Sequence, residues 1–148
     1  MGREIERKFL VREEFRHLAI KKMEILQAYL AIDPQRTIRI RITEGKAHLT
    51  IKGAPPKGKI GRSEWEVEIP VTMADELLEV CLPGRIIKTR YLVPVEEHVF
   101  EVDEFHGKNE GLVVAEIELK SEDEEFKRPQ WLGPEVTGRP EYQNSNLI

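Results

Sequence analysis

Hydrophobic and polar side chains alternate along most of this chain with a repeat of two residues. Glu4 and Glu6 flank Ile5 near the N-terminus. Lys8 extends the charged row and Phe9 extends the apolar one. Successive side chains of a β-strand point to opposite faces, so such a segment has one charged face and one apolar face. The same alternation predicts about eight strands. They span Arg3 to Leu10, Ile25 to Ala31, Arg36 to Thr43, Lys46 to Lys52, Arg62 to Pro70, Arg85 to Val93, His98 to Phe105 and Leu112 to Lys120.

Three segments interrupt the strands with the spacing of amphipathic helices. Each has an apolar stripe that needs a sheet to cover. The predicted helices span Glu13 to Lys22, Met73 to Leu82 and Glu122 to Leu132. Between the third and fourth strands Glu44-Gly45 predicts a tight hairpin, because glycine adopts the positive φ that such turns need. Residues 53–61 form a glycine-, proline- and lysine-rich loop that is long enough to act as a lid.

The charged faces of the predicted strands carry clusters of a single sign. Glu64, Glu66 and Glu68 place three carboxylates on one face of one strand. Solvated sheets normally mix the two signs, because like charges in neighbouring positions are destabilising. An ordinary sheet with its charges in water would explain any one strand. Taken together, the strands and the three helices favour a sheet whose apolar side faces the helices and whose charged side is enclosed.

This reasoning predicts an α+β fold, an eight-stranded antiparallel β-barrel with flanking helices outside. Its interior would hold nine carboxylates and six cations, a net charge of −3. Carboxylates suit hard cations such as Mg²⁺ or Mn²⁺, and arginine forks match phosphate oxygens. A metal ion together with a polyphosphate would satisfy both sets. The predicted interior residues are Glu4, Glu6, Lys8, Arg39, Arg41, Lys52, Glu64, Glu66, Glu68, Lys88, Arg90, Glu101, Asp103, Glu116 and Glu118.

Composition narrows the class of protein. A length of 148 residues fits one domain, spanning residues 1–148. The net charge of -4 argues against a non-specific nucleic-acid binder. Cys81 is the single cysteine, so no internal disulfide is expected, and no apolar run predicts secretion or a membrane span. We therefore expect a cytoplasmic protein, and the sequence leaves open whether two chains form a homodimer.

The charged motifs resemble those of the triphosphate tunnel metalloenzymes, also called the CYTH superfamily. The hallmark of that family is an N-terminal Glu-x-Glu-x-Lys, here Glu4, Glu6 and Lys8. The likeness covers nearly the whole chain, and the ordered series of motifs makes it specific. The other motifs are Arg39-Ile40-Arg41, Leu49-Thr50-Ile51-Lys52, Glu64 to Glu68, Lys88-Thr89-Arg90-Tyr91, Glu101-Val102-Asp103, Glu116-Ile117-Glu118, and Glu135-Val136-Thr137 followed by Tyr142 and Asn144.

The resemblance implies a triphosphate lying along a barrel that is open at both ends, with one or two Mg²⁺ or Mn²⁺ ions. It implies three sets of site residues, of which some belong to two. The phosphate contacts would be Lys8, Arg39, Arg41, Lys52, Lys88 and Arg90; the metal ligands Glu4, Glu6, Glu116, Glu118 and Asp103; and the groups that orient water Glu66, Glu68 and Asp103. For phosphoryl transfer itself, Lys88 and Tyr29 are our candidates to assist proton transfer or to neutralise the leaving group. The alternative for Tyr29 is a tyrosine that simply packs in the barrel.

The activity that fits this resemblance best is metal-dependent hydrolysis of inorganic tripolyphosphate to pyrophosphate and phosphate. The alternatives are a thiamine or nucleoside triphosphatase, a class IV adenylate cyclase that converts ATP to cyclic AMP and pyrophosphate, and a non-catalytic polyphosphate-binding module. A cyclase needs a pocket for adenine, for which the compact chain leaves little material. A binding module would keep the cations and lose the metal carboxylates, whereas this sequence has both. Hydrolysis of a small-molecule polyphosphate is therefore the expected function.

Overall fold

Ten strands form one antiparallel sheet in residues 2–148, the part of the chain that the computed structural model describes. One α-helix and four short 3-10 turns accompany the sheet. The strands are β1 (Gly2–Glu4), β2 (Glu6–Val11), β3 (Lys21–Asp33), β4 (Arg36–Thr43), β5 (Lys46–Gly53), β6 (Arg62–Ile69), β7 (Ile86–Val95), β8 (His98–Phe105), β9 (Val113–Glu118) and β10 (Leu132–Glu135). The helix is α1 (Val71–Leu78), and the 3-10 turns are Arg16–Leu18, Gly107–Asn109, Pro140–Tyr142 and Asn144–Asn146.

The N-terminal segment joins the two sides of the sheet and so makes it a tunnel. The strand order is β1-β6-β5-β4-β3-β7-β8-β9-β2-β10. Only Ile5 separates β1 from β2, yet β1 pairs with β6 and β2 pairs with β9. With β1 and β2 taken as one interrupted strand, eight strands make the circuit, although the hydrogen-bonded ladder does not close. The barrel-like class is confirmed, whereas the predicted number of strands was too small.

The alternating pattern located the strands well because each has one enclosed face. All eight predicted segments are strands, and β4 and β8 have the predicted bounds. The hairpin between β4 and β5 is present, with positive φ at Glu44 and Gly45. No sequence pattern indicated β10, because Leu132-Gly133-Pro134-Glu135 has no alternation and contains a proline.

Two of the three predicted helices are wrong for the described residues. Residues 13–22 contain a single 3-10 turn before β3 begins. Residues 122–131 form no helix, since Phe126 and Trp131 pack separately into an aromatic cluster and Pro129 has no N–H to donate. The third helix is present as α1, preceded by Pro70 and without a side-chain cap. No helix in residues 2–148 is long and apolar enough to cross a membrane.

The largest apolar core lies outside the tunnel. Phe9 and Phe100 are fully buried on the outer side of β2 and β8. Trp131 covers them, with its ring 5.3 Å from that of Phe100. The prediction that the apolar faces point outward and are covered is confirmed there. It is wrong for β6, where Trp65 and Val67 remain 45% and 55% exposed because α1 covers only β4 and β5.

A second apolar cluster fills part of the tunnel interior at one end. Tyr29, Ile86, Phe105 and Val114 contribute inward side chains from four strands. Leu147, from the C-terminal segment, packs among them. Charged residues therefore line only part of the tunnel, and the C-terminus of the described chain closes part of this end.

Truncating the outer core should destabilise the protein without touching the tunnel. We expect Phe100→Ala to lower the free energy of unfolding by about 3–5 kcal/mol, because it removes a fully buried aromatic ring. Urea unfolding followed by circular dichroism measures the change. Val99→Ala is the control, since Val99 is exposed and should cost less than about 0.5 kcal/mol. Equal losses in the two variants would contradict this assignment of the core.

Candidate active site in the tunnel

The charged residues predicted to face inward do line the tunnel, with burial that varies along it. They share a face because of the strand register; for example, Lys8 pairs with Glu116, and Arg90 pairs with Asp103. Of the fifteen, Glu4, Arg39, Lys52, Lys88, Arg90, Asp103 and Glu116 are buried, Glu6, Lys8, Arg41, Glu64 and Glu101 are half-buried, and Glu66, Glu68 and Glu118 are exposed. The enclosed position expected for these last three is wrong: Glu66 and Glu118 line a tunnel cavity but stay exposed, and Glu68 does not line it.

Glu4 is held by two cations. Lys52 donates from Nζ to both carboxylate oxygens of Glu4, at 2.7 and 2.9 Å, and Arg62 donates from Nε at 3.1 Å. Burial alone would raise the pKa of Glu4, but Lys52 and Arg62 bring it below its usual value. Arg62 was not predicted as a site residue. It lies two residues before Glu64 on the same strand and so shares its face, which could have indicated its role.

Asp103 fixes two cations on the other side of the tunnel. Arg90 donates to it from two nitrogens, at 2.8 and 2.9 Å, in a bidentate pair. Lys88 Nζ lies 2.7 Å from Asp103 Oδ2, but the approach is too poorly aligned for a hydrogen bond. Burial would raise the pKa of Asp103, yet the two cations lower it. Both oxygens of Asp103 are therefore occupied in this structure.

The tunnel cations crowd one another and leave donors unpaired. Burial, together with Arg39 and Arg90, lowers the pKa of Arg41 to about 10. Burial lowers the pKa of Lys88 to about 8. Within residues 2–148, Arg39 Nε, Lys88 Nζ and Gln27 Nε2 are buried and have no hydrogen-bond partner. Buried donors are rarely left unpaired, so the tunnel is suited to an anion rich in acceptor oxygens.

Several carboxylates crowd together in the same tunnel. Burial and the neighbouring Glu116 and Glu4 raise the pKa of Glu6 well above its usual value. Burial and nearby carboxylates likewise raise the pKa values of Glu64 and Glu118. Glu116 differs, because Lys8 and Arg90 outweigh its burial and lower its pKa. A divalent cation bound among these carboxylate oxygens would relieve their mutual repulsion.

The donor chemistry of these carboxylates fits a hard metal ion, although no site is preassembled. Among the described residues, no group of three or more acidic, histidine or cysteine side chains is placed to hold a metal. Glu4, Glu6, Glu116 and Glu118 nevertheless line one cavity. Asp103 does not line it. The first four residues are therefore the candidate ligands, and a metal-binding role of Asp103 stays a prediction.

Two cavities of opposite character meet in the tunnel. The acidic cavity, about 170 Å³, is lined by Glu64, Glu66, Glu101 and Glu118, which do not line the other cavity. The basic cavity, about 580 Å³, is lined by Arg36, Lys59 and Arg62, which do not line the acidic cavity, and by Tyr29. Both cavities are lined by Glu4, Glu6, Arg39, Lys52 and Asn144. The tunnel thus has an acidic end, a basic end and a mixed centre.

The remaining predicted site residues occupy distinct positions. Glu66 accepts a hydrogen bond from Thr50 Oγ1 at 2.7 Å in the acidic cavity, whereas Glu68 lies exposed beyond it. Burial raises the pKa of Tyr29, which keeps its hydroxyl protonated. Lys8 donates from Nζ to the backbone oxygen of Tyr142 at 3.0 Å. Alternation could have placed Thr50 on the inner face, whereas Tyr142 was indicated by the family motif alone.

The chain belongs to the CYTH domain family, whose profile matches residues 2–146. An inorganic triphosphatase of Acetivibrio thermocellus is 46% identical, over 100% of this chain and 94% of that protein. An inorganic triphosphatase of Nitrosomonas europaea is 34% identical, over 97% of this chain and 95% of that protein. The crystal structure of an inorganic triphosphatase superimposes with a TM-score of 0.70 at 32% identity, covering 99% of this chain and 95% of that chain. The resemblance inferred from the charged motifs is confirmed.

Removing the charge of Glu6 should stabilise the metal-free protein at neutral pH. The raised pKa means that the stability associated with Glu6 is complete below its usual value of 4.5 and is lost as pH rises through the folded value. We expect Glu6→Gln to be more stable than wild type at pH 7, because the neutral amide removes the cost of a buried charge beside other carboxylates. Below pH 4 the difference should vanish.

Urea unfolding in EDTA at several pH values tests this expectation. Glu68→Gln is the matched control, because Glu68 is exposed and should show no such gain. A Glu6→Gln variant less stable than wild type at pH 7 would mean that the carboxylate is not crowded as described.

Proposed function

We propose that this chain is a metal-dependent triphosphatase that hydrolyses inorganic tripolyphosphate to pyrophosphate and phosphate. The observation that carries the proposal is the group of cations enclosed in the tunnel. Two of them, Arg39 and Lys88, are buried, and each has a donor nitrogen without a hydrogen-bond partner. A linear polyphosphate supplies many acceptor oxygens for these donors. The names and nearly full-length coverage of the two relatives support the same substrate.

The substrate would lie through the mixed centre of the tunnel. Six cations face the tunnel from four strands, and Arg39 and Lys52 line the mixed centre itself, so phosphate oxygens could be bound from several sides. Arginine binds such oxygens in pairs, whereas lysine acts as a point charge. The proposed phosphate contacts are Lys8, Arg39, Arg41, Lys52, Lys88 and Arg90.

The proposed metal ligands are Glu4, Glu6, Glu116 and Glu118. Their oxygen donors fit Mg²⁺ and Mn²⁺, which prefer such ligands. When bound, such an ion neutralises charge on the phosphate oxygens and so favours attack on phosphorus. The raised pKa of Glu6 adds a pH dependence, because its proton must leave before it can bind a cation.

The chain itself would position water and stabilise the leaving group. Glu66 would orient the water whose oxygen attacks the terminal phosphorus and would accept the proton that this water loses, while Glu68 would assist from its exposed position beyond the acidic cavity. As the bridging P–O bond breaks, the pyrophosphate oxygen gains negative charge, which Lys88 would neutralise as a cation or by donating a proton. Its pKa of about 8 suits either role near neutral pH. Asp103 would position Lys88 through their 2.7 Å contact, and Tyr29 remains a candidate proton donor.

One observation favours an organic triphosphate as a second candidate substrate. The basic cavity, about 580 Å³, extends from the mixed centre and offers space beside the proposed phosphate contacts. Tyr29, Ile32 and Pro34 give it apolar surface beside its cations. A thiamine or nucleoside triphosphate could place its organic part there, and ATP cyclisation would use the same space.

Product analysis tests the proposed reaction. Purified protein is incubated with tripolyphosphate, ATP or thiamine triphosphate, each with Mg²⁺ or Mn²⁺, while phosphate, pyrophosphate and cyclic AMP are measured. We expect phosphate and pyrophosphate chiefly from tripolyphosphate, loss of activity in EDTA and recovery on adding metal. Glu6→Ala should be inactive yet folded. Cyclic AMP with pyrophosphate as the main products, or activity that survives EDTA, would overturn the proposal.

Arg41→Ala should weaken substrate binding much more than it alters folding. A hydrogen bond to a charged group is worth about 1.5–3 kcal/mol, so we expect KM for tripolyphosphate to rise roughly tenfold to a hundredfold. Steady-state kinetics measure KM, and thermal unfolding checks the fold. Lys127→Ala removes a positive charge from an exposed residue and should leave KM near the wild-type value. An unchanged KM in Arg41→Ala would exclude it as a phosphate contact.

A further inference from the structure

The C-terminal segment places one neutral side chain at the centre of the charged tunnel. Asn144 lines both the acidic and the basic cavity. The other residues lining both cavities are all charged: Glu4, Glu6, Arg39 and Lys52. Within residues 2–148 the Asn144 side chain has no hydrogen-bond partner, whereas that of Asn146 donates to the backbone oxygen of Pro140. Asn144 is therefore free to bind a ligand in the tunnel.

Several contacts hold this segment in place on both sides of Asn144. Before it, the backbone oxygen of Tyr142 accepts a hydrogen bond from Lys8, one of the proposed phosphate contacts. After it, Leu147 is buried in the apolar cluster inside the tunnel. Asn109 also donates to the backbone oxygen of Leu147 at 2.6 Å. The position of Asn144 is thus fixed before any ligand binds, which reduces the entropy lost on binding.

We propose that Asn144 is a further substrate-binding residue, whose side-chain amide donates to a non-bridging oxygen of the bound polyphosphate. This inference rests on the proposed function. An amide supplies two N–H donors without adding charge. At a position beside Glu4 and Glu6, a neutral donor binds a phosphate oxygen without pairing with either carboxylate as a cation would. A carboxylate at the same position would repel the substrate.

Calorimetric binding of tripolyphosphate in EDTA tests this role without depending on turnover. We expect Asn144→Ala to weaken binding about tenfold, as for one lost hydrogen bond to a charged group. Asn144→Asp keeps the shape of the side chain and adds a negative charge, so it should bind more weakly still. KM for tripolyphosphate should rise in the same order.

Gln143→Ala is the matched control. Gln143 is also an amide and is adjacent in sequence, but it is exposed and lines only the basic cavity, so its loss should change the affinity less than about twofold. Thermal unfolding checks that Leu147 remains anchored in each variant. Wild-type affinity in Asn144→Ala, or binding by Asn144→Asp as strong as by Asn144→Ala, would overturn this inference alone. Failure of the wild-type protein to bind tripolyphosphate would instead overturn the proposed function.

Discussion

The structure depends on enclosing a charged sheet face that cannot neutralise itself. Asp103 and Glu4 pair with some of the cations, yet Arg41 remains among like charges and Lys88 has an unpaired donor. An interior of this kind has no stabilising advantage over a packed apolar one, because desolvating charges costs free energy that the ion pairs recover only in part. The proposed function accounts for this cost, because the unpaired donors that weaken the free protein would be available to an anionic substrate.

The apolar side of the sheet supplies the stability that the tunnel does not. Phe9 and Phe100 pack beneath Trp131 on the outer surface, far from the substrate. The tunnel is also stiffened from within, since Leu147 packs against apolar residues at its basic end. Separating the stabilising core from the charged site allows residues such as Glu6 to be costly for folding and useful for function at once.

Much of the fold could be predicted because alternation separates the charged face of each strand from its apolar face. It placed the strands and the inward row that includes Lys88 and Arg90, and the single-sign clusters indicated that this row lies inside. What it could not report is packing between distant segments. The aromatic residues of 122–131 have helical spacing but pack one by one, and Asn144 reaches the tunnel from a turn, where periodicity carries no information. Arg62 shares a strand face with Glu64 and could have been predicted as a site residue from alternation.

A crystal structure of the protein with tripolyphosphate, in the absence of divalent metal, tests the central claim most directly. The enclosed cations should bind the polyphosphate in the mixed centre of the tunnel, with phosphate oxygens within hydrogen-bond distance of Arg39 Nε and Lys88 Nζ. Tripolyphosphate bound only outside the tunnel, with both donors still unpaired, would contradict the account.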